Sequence, residues 1–192
     1  MTYPTDPEFQ SINFRSNNFV TTSESINGKI KVRAIGAQRW EFTASYDRLT
    51  KAEAGIVSAY IISQGGRFGE FQIQPTEIGS TRGTATGVVE ANGAHTAGDK
   101  TIAITGLGAS ETLLRGDLVK FAGHNKVYMV TEDLTGDGTL TIYPALVEDV
   151  ADNEDLTYNN VPFTVRLAND IQSYEVNANN QYNVEVDFIE SL

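Results

Sequence analysis

The stretch Leu118-Val119-Lys120-Phe121, with Lys126-Val127-Tyr128-Met129-Val130-Thr131 and Thr139-Leu140-Thr141-Ile142-Tyr143 behind it, decides the fold class. Each run is short and rich in β-branched or aromatic residues, the composition of strands. The second and third runs flank Leu134-Thr135-Gly136-Asp137-Gly138, whose Asp-Gly pair suits a hairpin turn because both types tolerate positive φ. Upstream, residues 85–90 and 101–105 read as two further strands. Five short strands at close spacing, separated by glycine-containing turns, predict a small β-barrel, of which the OB-fold is one form.

Two polar segments bound this block. Gly79-Ser80-Thr81-Arg82-Gly83-Thr84 is a connector on its N-terminal side. On the other side Glu148, Asp149, Asp152, Glu154 and Asp155, closing at Asn159-Asn160, are expected to form a solvated connector.

Outside the block the pattern is again period two. A polar segment runs through Ser25 and turns at Asn27-Gly28; then Ile30, Val32 and Ala34 alternate with Lys29, Lys31 and Arg33. Past Gly36, Trp40, Phe42 and Ala44 alternate with Glu41, Thr43 and Ser45. Joined at Gly36-Ala37-Gln38, the two runs predict an antiparallel hairpin with one buried face. One helix follows. Thr50 and Glu53 have the spacing of a capping box, Ile56, Tyr60 and Ser63 share a face with Val57 and Ile61 beside it, and Gly65-Gly66 ends it. A strand around Phe71 and Ile73 stops at Pro75. Near the C-terminus, Phe163, Val165 and Leu167 form one alternating run and Val184, Val186 and Phe188 another, so the chain's end is expected to lie in a sheet.

The expected fold is therefore mainly β (β-rich α+β). A split, β-sandwich-like sheet domain with one helix comes from residues 1–81 together with 159–192, and 82–158 form an inserted, OB-fold-like barrel. Three consecutive β segments in one continuous domain are the plainer alternative. No internal repeat or low-complexity tract is present.

Composition narrows the function. The chain has 192 residues, 40% of them apolar, enough for a real core. Cysteine is absent, which removes disulfides and thiolate chemistry and suits a reducing compartment. Met1-Thr2-Tyr3-Pro4-Thr5-Asp6-Pro7 lacks the basic start and apolar run of a secretory leader. No segment nears the roughly 18 apolar residues of a membrane span, so no membrane is expected as a partner. The net charge is −11, from 14 basic and 25 acidic residues, and 82–158 carry 5 and 12 of these, a net −7. Nucleic-acid binding rests on cations that neutralise phosphates, so an acidic chain should repel DNA; plain solubility explains the same charge.

No enzyme motif survives inspection, and no catalytic, cofactor-binding or metal-ligating residue is assigned. His95 and His124 lack partners at metal-ligand spacing. Asp133, Thr135 and Asp137-Gly138 open like a calcium loop, but the twelfth position is Pro144 instead of the required Glu, and a hairpin turn is the better reading. Arg115-Gly116-Asp117 spells an adhesion tripeptide, yet Gly and Asp are explained as the turn that opens strand 118–121. Gly106-Leu107-Gly108 lacks the third glycine and the helix of a dinucleotide site. Trp40, Tyr46, Tyr128 and Tyr143 could build a sugar platform, but aromatic residues on strands more often pack in cores.

Several stretches nevertheless resemble a known family. Gly116-Asp117-Leu118-Val119-Lys120-Phe121, then His124-Asn125-Lys126-Val127-Tyr128-Met129-Val130-Thr131, then Leu140-Thr141-Ile142-Tyr143-Pro144-Ala145-Leu146 are similar to the inserted domain of siphophage distal tail (Dit) proteins. Ala34-Ile35-Gly36-Ala37-Gln38-Arg39-Trp40, with Tyr46 and the helix behind it, resembles their ring-forming domain, as does the terminal Glu190-Ser191-Leu192. The resemblance implies a ring-forming domain split by an OB-fold insertion. It also implies a hexameric ring at the distal end of the tail tube, partnered by the tube protein above and the baseplate hub or tail-tip protein below. Such a protein is made in the host cytoplasm, resides in the virion, uses no cofactor, and lets DNA pass through the ring without binding it specifically. It carries no catalytic residue to transfer.

Physically, a closed ring needs two different surfaces on each subunit. The alternating runs 29–34 and 182–188, as exposed sheet edges, are the candidates. Rival readings are a saccharide-binding module built on the barrel, a tail tube protein that would polymerise into tubes, and a cell-wall hydrolase.

Overall fold

Period-two alternation becomes strand along most of the chain. The structure, a computed structural model, describes residues 3–36, 38–176 and 179–192. In chain order the elements are β1 (Ser11–Asn17), β2 (Val20–Glu24), β3 (Ile30–Ala34), β4 (Arg39–Leu49), helix α1 (Lys51–Ser63) and β5 (Phe71–Ile73). A single-turn helix α2 (Thr76–Gly79), absent from the sequence expectation, leads into β6 (Val89–Ala91), β7 (Thr101–Thr105), β8 (Thr112–Leu113) and β9 (Leu118–Phe121). Then come β10 (Tyr128–Val130), β11 (Leu134–Thr135), β12 (Gly138–Tyr143) and β13 (Asp155–Thr157). The chain ends in β14 (Phe163–Leu167), β15 (Tyr174–Val176) and β16 (Tyr182–Glu190). The protein is mainly β, as expected, and contains a closed six-stranded barrel.

The chain divides into two compact units. One comprises residues 6–69 and 166–190. In it β4 lies between β1 and β16, antiparallel to both, with Phe14 opposite Phe42 on one side and Phe42 opposite Phe188 on the other. β15 pairs with the start of β16. Trp40, Phe42, Ala44 and Tyr46 alternate into the core, and the Phe14 ring stacks on Trp40 with centroids 4.5 Å apart. Burying each large side chain there contributes about 1.5–3 kcal/mol.

The hairpin expected between 29–34 and 40–45 does not form. β3 pairs instead with β2, Ala34 opposite Val20 and Ile30 opposite Glu24, through a turn in which Gly28 adopts φ +73°. Ala37, in the expected turn, lies outside the described residues. Alternation reports which side chains share a face but not which strand lies alongside, and the Asn27-Gly28 turn chemistry settles the pairing.

In α1 the capping box is present. The Glu53 amide donates to the Thr50 hydroxyl and the Thr50 amide to Glu53 Oε2, at 2.7 Å for the latter. The buried residues are Ala54, Val57, Tyr60 and Ile61, whereas Ile56 and Ser63 face outward, contrary to expectation. Apolar residues surround this helix almost evenly, so periodicity could not single out its inner face. Gly65 and Gly66 end it in the left-handed region, at φ +65° and +68°.

The other unit comprises residues 3–5, 70–165 and 191–192. Its barrel closes in the order β10-β12-β7-β6-β13-β9, around Ile102, Ile104, Phe121, Tyr128, Leu140 and Ile142. The strand expected at 85–90 is shorter and later, as β6. The acidic stretch expected as a solvated connector is a correction: Leu156 of β13 pairs with Val89 and with Phe121, closing the barrel, and Val150 bridges to His95. Its carboxylates bind loop amides. Asp149 accepts from Ala97 N at 2.8 Å, Asp152 from Gly93 N at 2.7 Å and Glu154 from Gly123 N at 2.8 Å.

Beside the barrel, β5 and β14 pair antiparallel. Lys120 of β9 is buried yet satisfied, its ammonium donating to the Pro162 carbonyl and the Thr164 hydroxyl, both at 3.3 Å. The Val161 amide donates to the Gly79 carbonyl at 3.1 Å, so the two ends of the segment between them meet.

Candidate assembly surfaces

Within the unit of residues 6–69 and 166–190, the β2–β3 ribbon leaves all ten of its strand residues exposed. Directly opposed residues share a face, so the register sorts the ribbon into two. Val20, Thr22 and Glu24 lie with Ala34, Val32 and Ile30, while Thr21 and Ser23 lie with Arg33 and Lys31. Lys29 continues the second set, two residues before Lys31. One face is thus largely apolar and the other basic. Ile30 is 66% and Val32 62% exposed, and Ile26 at the tip is fully exposed. A two-stranded ribbon with neither face covered is marginal in water, and apolar residues gathered on one exposed face mark an interaction surface. The sequence placed these residues on one strand face but made that face core.

The same unit holds a cleft of about 600 Å³ lined by Ser45, Tyr46 and Asp47 of β4, by Ser173 and Glu175, and by Asn183, Val184 and Glu185 of β16. A smaller hollow shares Ser173, Val184 and Glu185 with it and continues to Ile61 and Ile62 of α1. The cleft is acidic and the hollow apolar. Both escape sequence reading, because they are assembled from segments over 100 residues apart.

The residues weighed from sequence for chemistry do not converge. His124 is buried: Nε2 lies 3.3 Å from the Asp149 carbonyl and Nδ1 2.9 Å from the Tyr128 hydroxyl, which accepts from Val147 N at 3.2 Å. A carbonyl only accepts, so Nε2 carries the proton, and the imidazole holds loop backbone in place. His95 Nε2 accepts the Ala103 amide at 3.1 Å. Among the described residues, no three His, Cys, Asp or Glu side chains group as metal ligands would.

In the adhesion-like tripeptide, Asp117 is buried and takes the amides of Arg82 and Leu114, while Arg115 pairs with Asp133 at 3.0 Å. Gly116, at φ +90°, and Asp117 make the turn before β9 expected from the sequence. Asp137 accepts from Leu107 N at 2.9 Å and from the Thr105 hydroxyl at 3.1 Å, stapling the loop rather than opening a calcium site. The bonds that Arg115 donates to Asp133, from its side chain first and then its amide, hold the Asp133 carboxyl below the ordinary carboxylate range. Trp40, Tyr46 and Tyr128 are core residues, and Tyr143 is exposed. Among the described residues, no helix is long and apolar enough to cross a membrane.

The fold and its surfaces define a mainly β protein that carries a small closed barrel and an uncovered ribbon. Residues 78–161, which include every barrel strand, match a protein family described as "Distal tail protein pb9, B domain". Over 174 residues the chain is 27% identical to distal tail protein pb9 of Escherichia phage T5, a match spanning 86% of this chain and 84% of that protein.

Proposed function

We propose that this chain is a structural, non-enzymatic protein of a phage tail, which forms a ring at the distal end of the tail tube and joins it to the tip or baseplate hub. The observation that carries this reading is the likeness to distal tail protein pb9 along most of both chains. The uncovered ribbon supports it independently, since a closed ring needs complementary surfaces on every copy. In this reading the chain resides in the virion after assembly in the host cytoplasm. It contacts the tube protein and the hub as a hexamer, and the net charge of −11 keeps passing DNA from adhering.

Residues 82–158 form an inserted domain in the same proposal. Its support is the meeting of Gly79 with Val161, together with the 2.7 Å bond from the Ser80 hydroxyl to Thr76 that closes α2 just before the barrel. A small closed antiparallel barrel suits the OB-fold-like reading, with β13 as an added sixth strand.

Negative-stain microscopy and sedimentation of the purified chain test the assembly. Rings at high concentration are expected. Long tubes would point to a tail tube protein, and a strictly monomeric chain that binds neither tube nor hub protein would overturn the proposal.

A further inference from the structure

The basic face of the ribbon and the acidic cleft are opposite in character, and every strand residue of the ribbon is exposed. Lys29, Lys31 and Arg33 place three cations within five residues of a chain that has 14 in all. Asp47, Glu175 and Glu185 line the cleft and are exposed. Among the described residues none of these six side chains makes an ion pair.

We infer that the cleft of Asp47, Glu175 and Glu185 is the receptor for β3 of a second copy of this chain, its basic face set against these carboxylates. The inference rests on the self-assembly reading and names its contact. Charge complementarity selects the occupant. Alternate residues of a strand lie about 6.6 Å apart on one face, so Lys29, Lys31 and Arg33 form a row of three cations to set against the three carboxylates of the cleft. Nucleic acid fits the observations less well: the cations alternate with Ile30 and Val32, whose exposed side chains gain from contact with protein, not phosphate. Ribbon and cleft are different surfaces, so the contact is heterologous and propagates from copy to copy.

The absence of cysteine makes the test direct. Lys31→Cys chains are mixed with Glu185→Cys chains and oxidised, with Lys31→Cys plus Val88→Cys, on the exposed surface of the barrel, as control. Disulfide-linked dimers are expected from the first mixture and not from the control. In parallel, the triple reversal Lys29→Glu, Lys31→Glu, Arg33→Glu should weaken self-association about tenfold or more at low salt. Adding chains with Asp47→Lys, Glu175→Lys and Glu185→Lys should restore it.

Rings without preferential cross-linking would overturn this contact and leave the ring reading standing. Cross-linking into open chains or dimers without rings would uphold the contact and sink the ring. If neither rings nor cross-links form, both fail. Loss of DNA retention on a filter with unchanged self-association would overturn the contact in favour of nucleic acid.

Discussion

The Thr81 hydroxyl donates to Asp117 Oδ2 at 2.8 Å, tying the segment that leads into the barrel to the turn before β9. The same carboxylate takes the Arg82 amide at 3.0 Å and the Leu114 amide at 2.9 Å, and its side chain is fully buried. Replacing Asp117 by Ala leaves two backbone amides and a hydroxyl without their acceptor. Bonds to a charged group contribute about 1.5–3 kcal/mol each, and stranded donors add a penalty. Asp117→Ala should therefore lower unfolding stability by about 3 kcal/mol in a urea titration. A loss within the roughly 0.5 kcal/mol typical of surface sites would show that the carboxylate is dispensable.

Gly106 earns its place through backbone geometry. It sits at φ +99°, and a Cβ built there would lie 2.1 Å from the Val88 carbonyl oxygen, a backbone atom that cannot turn aside. Gly106→Ala should cost about 2 kcal/mol or more from strain and displacement of β6. Gly93→Ala shares a positive φ but meets nothing within 4 Å, and should cost less. Thermal melts of the two variants compare them, and equal losses would mean that the close approach is not what Gly106 serves.

Much of this architecture could be read from residues, and the failures have physical causes. β9, β7 and α1 were legible because period, composition and a capping box act locally. The partner of β3 was not, since Ile30 and Val32 alternate in the same way whether they face a core or an absent neighbour. β13 was hidden among Asp152, Glu154 and Asp155, because charge suggests solvent while Asp152 and Glu154 collect amides from other loops. The outward position of Ile56 is not legible, because apolar residues surround the helix without contrast. The cleft could not be read at all, because Asp47 and Glu185 become neighbours only after β4 and β16 pair.

Acid should destabilise the fold through particular exposed carboxyls. Hydrogen bonds from the Thr50 amide and hydroxyl hold Glu53 below the ordinary carboxylate range. The Thr86 hydroxyl, then the Gly108 amide, does the same for Glu111, and the Arg115 side chain and amide for Asp133. A lowered folded-state pKa means that the unfolded chain binds protons first. The contribution is present above the unfolded value and lost as pH falls through the folded one. Melting temperature should hold steady down to about pH 5 and then decline towards pH 2. Thr86→Ala, which removes the largest influence on Glu111, should make the decline shallower. A melting temperature that rises on acidification would contradict the assignment.

The barrel should fold without the rest of the chain. Its core is drawn from within residues 85–158, and six strands close on themselves, so no sheet edge is left to be covered. The Val161 amide on the Gly79 carbonyl fastens the ends, which lowers the cost of closing the segment between them. Residues 78–161 expressed alone should therefore give a cooperative urea transition and dispersed amide resonances. Lys120 is the weak point. Its acceptors Pro162 and Thr164 lie just outside that fragment, and a buried ammonium that loses two acceptors is destabilised. A fragment extended to residue 165 should be more stable than one ending at 161, and Lys120→Met should narrow the difference by removing the charge. If both fragments are unfolded, the barrel depends on the flanking sheet and is not an inserted domain. If they fold with equal stability, Lys120 reaches water once released, and its bonds to β14 position the barrel without stabilising it.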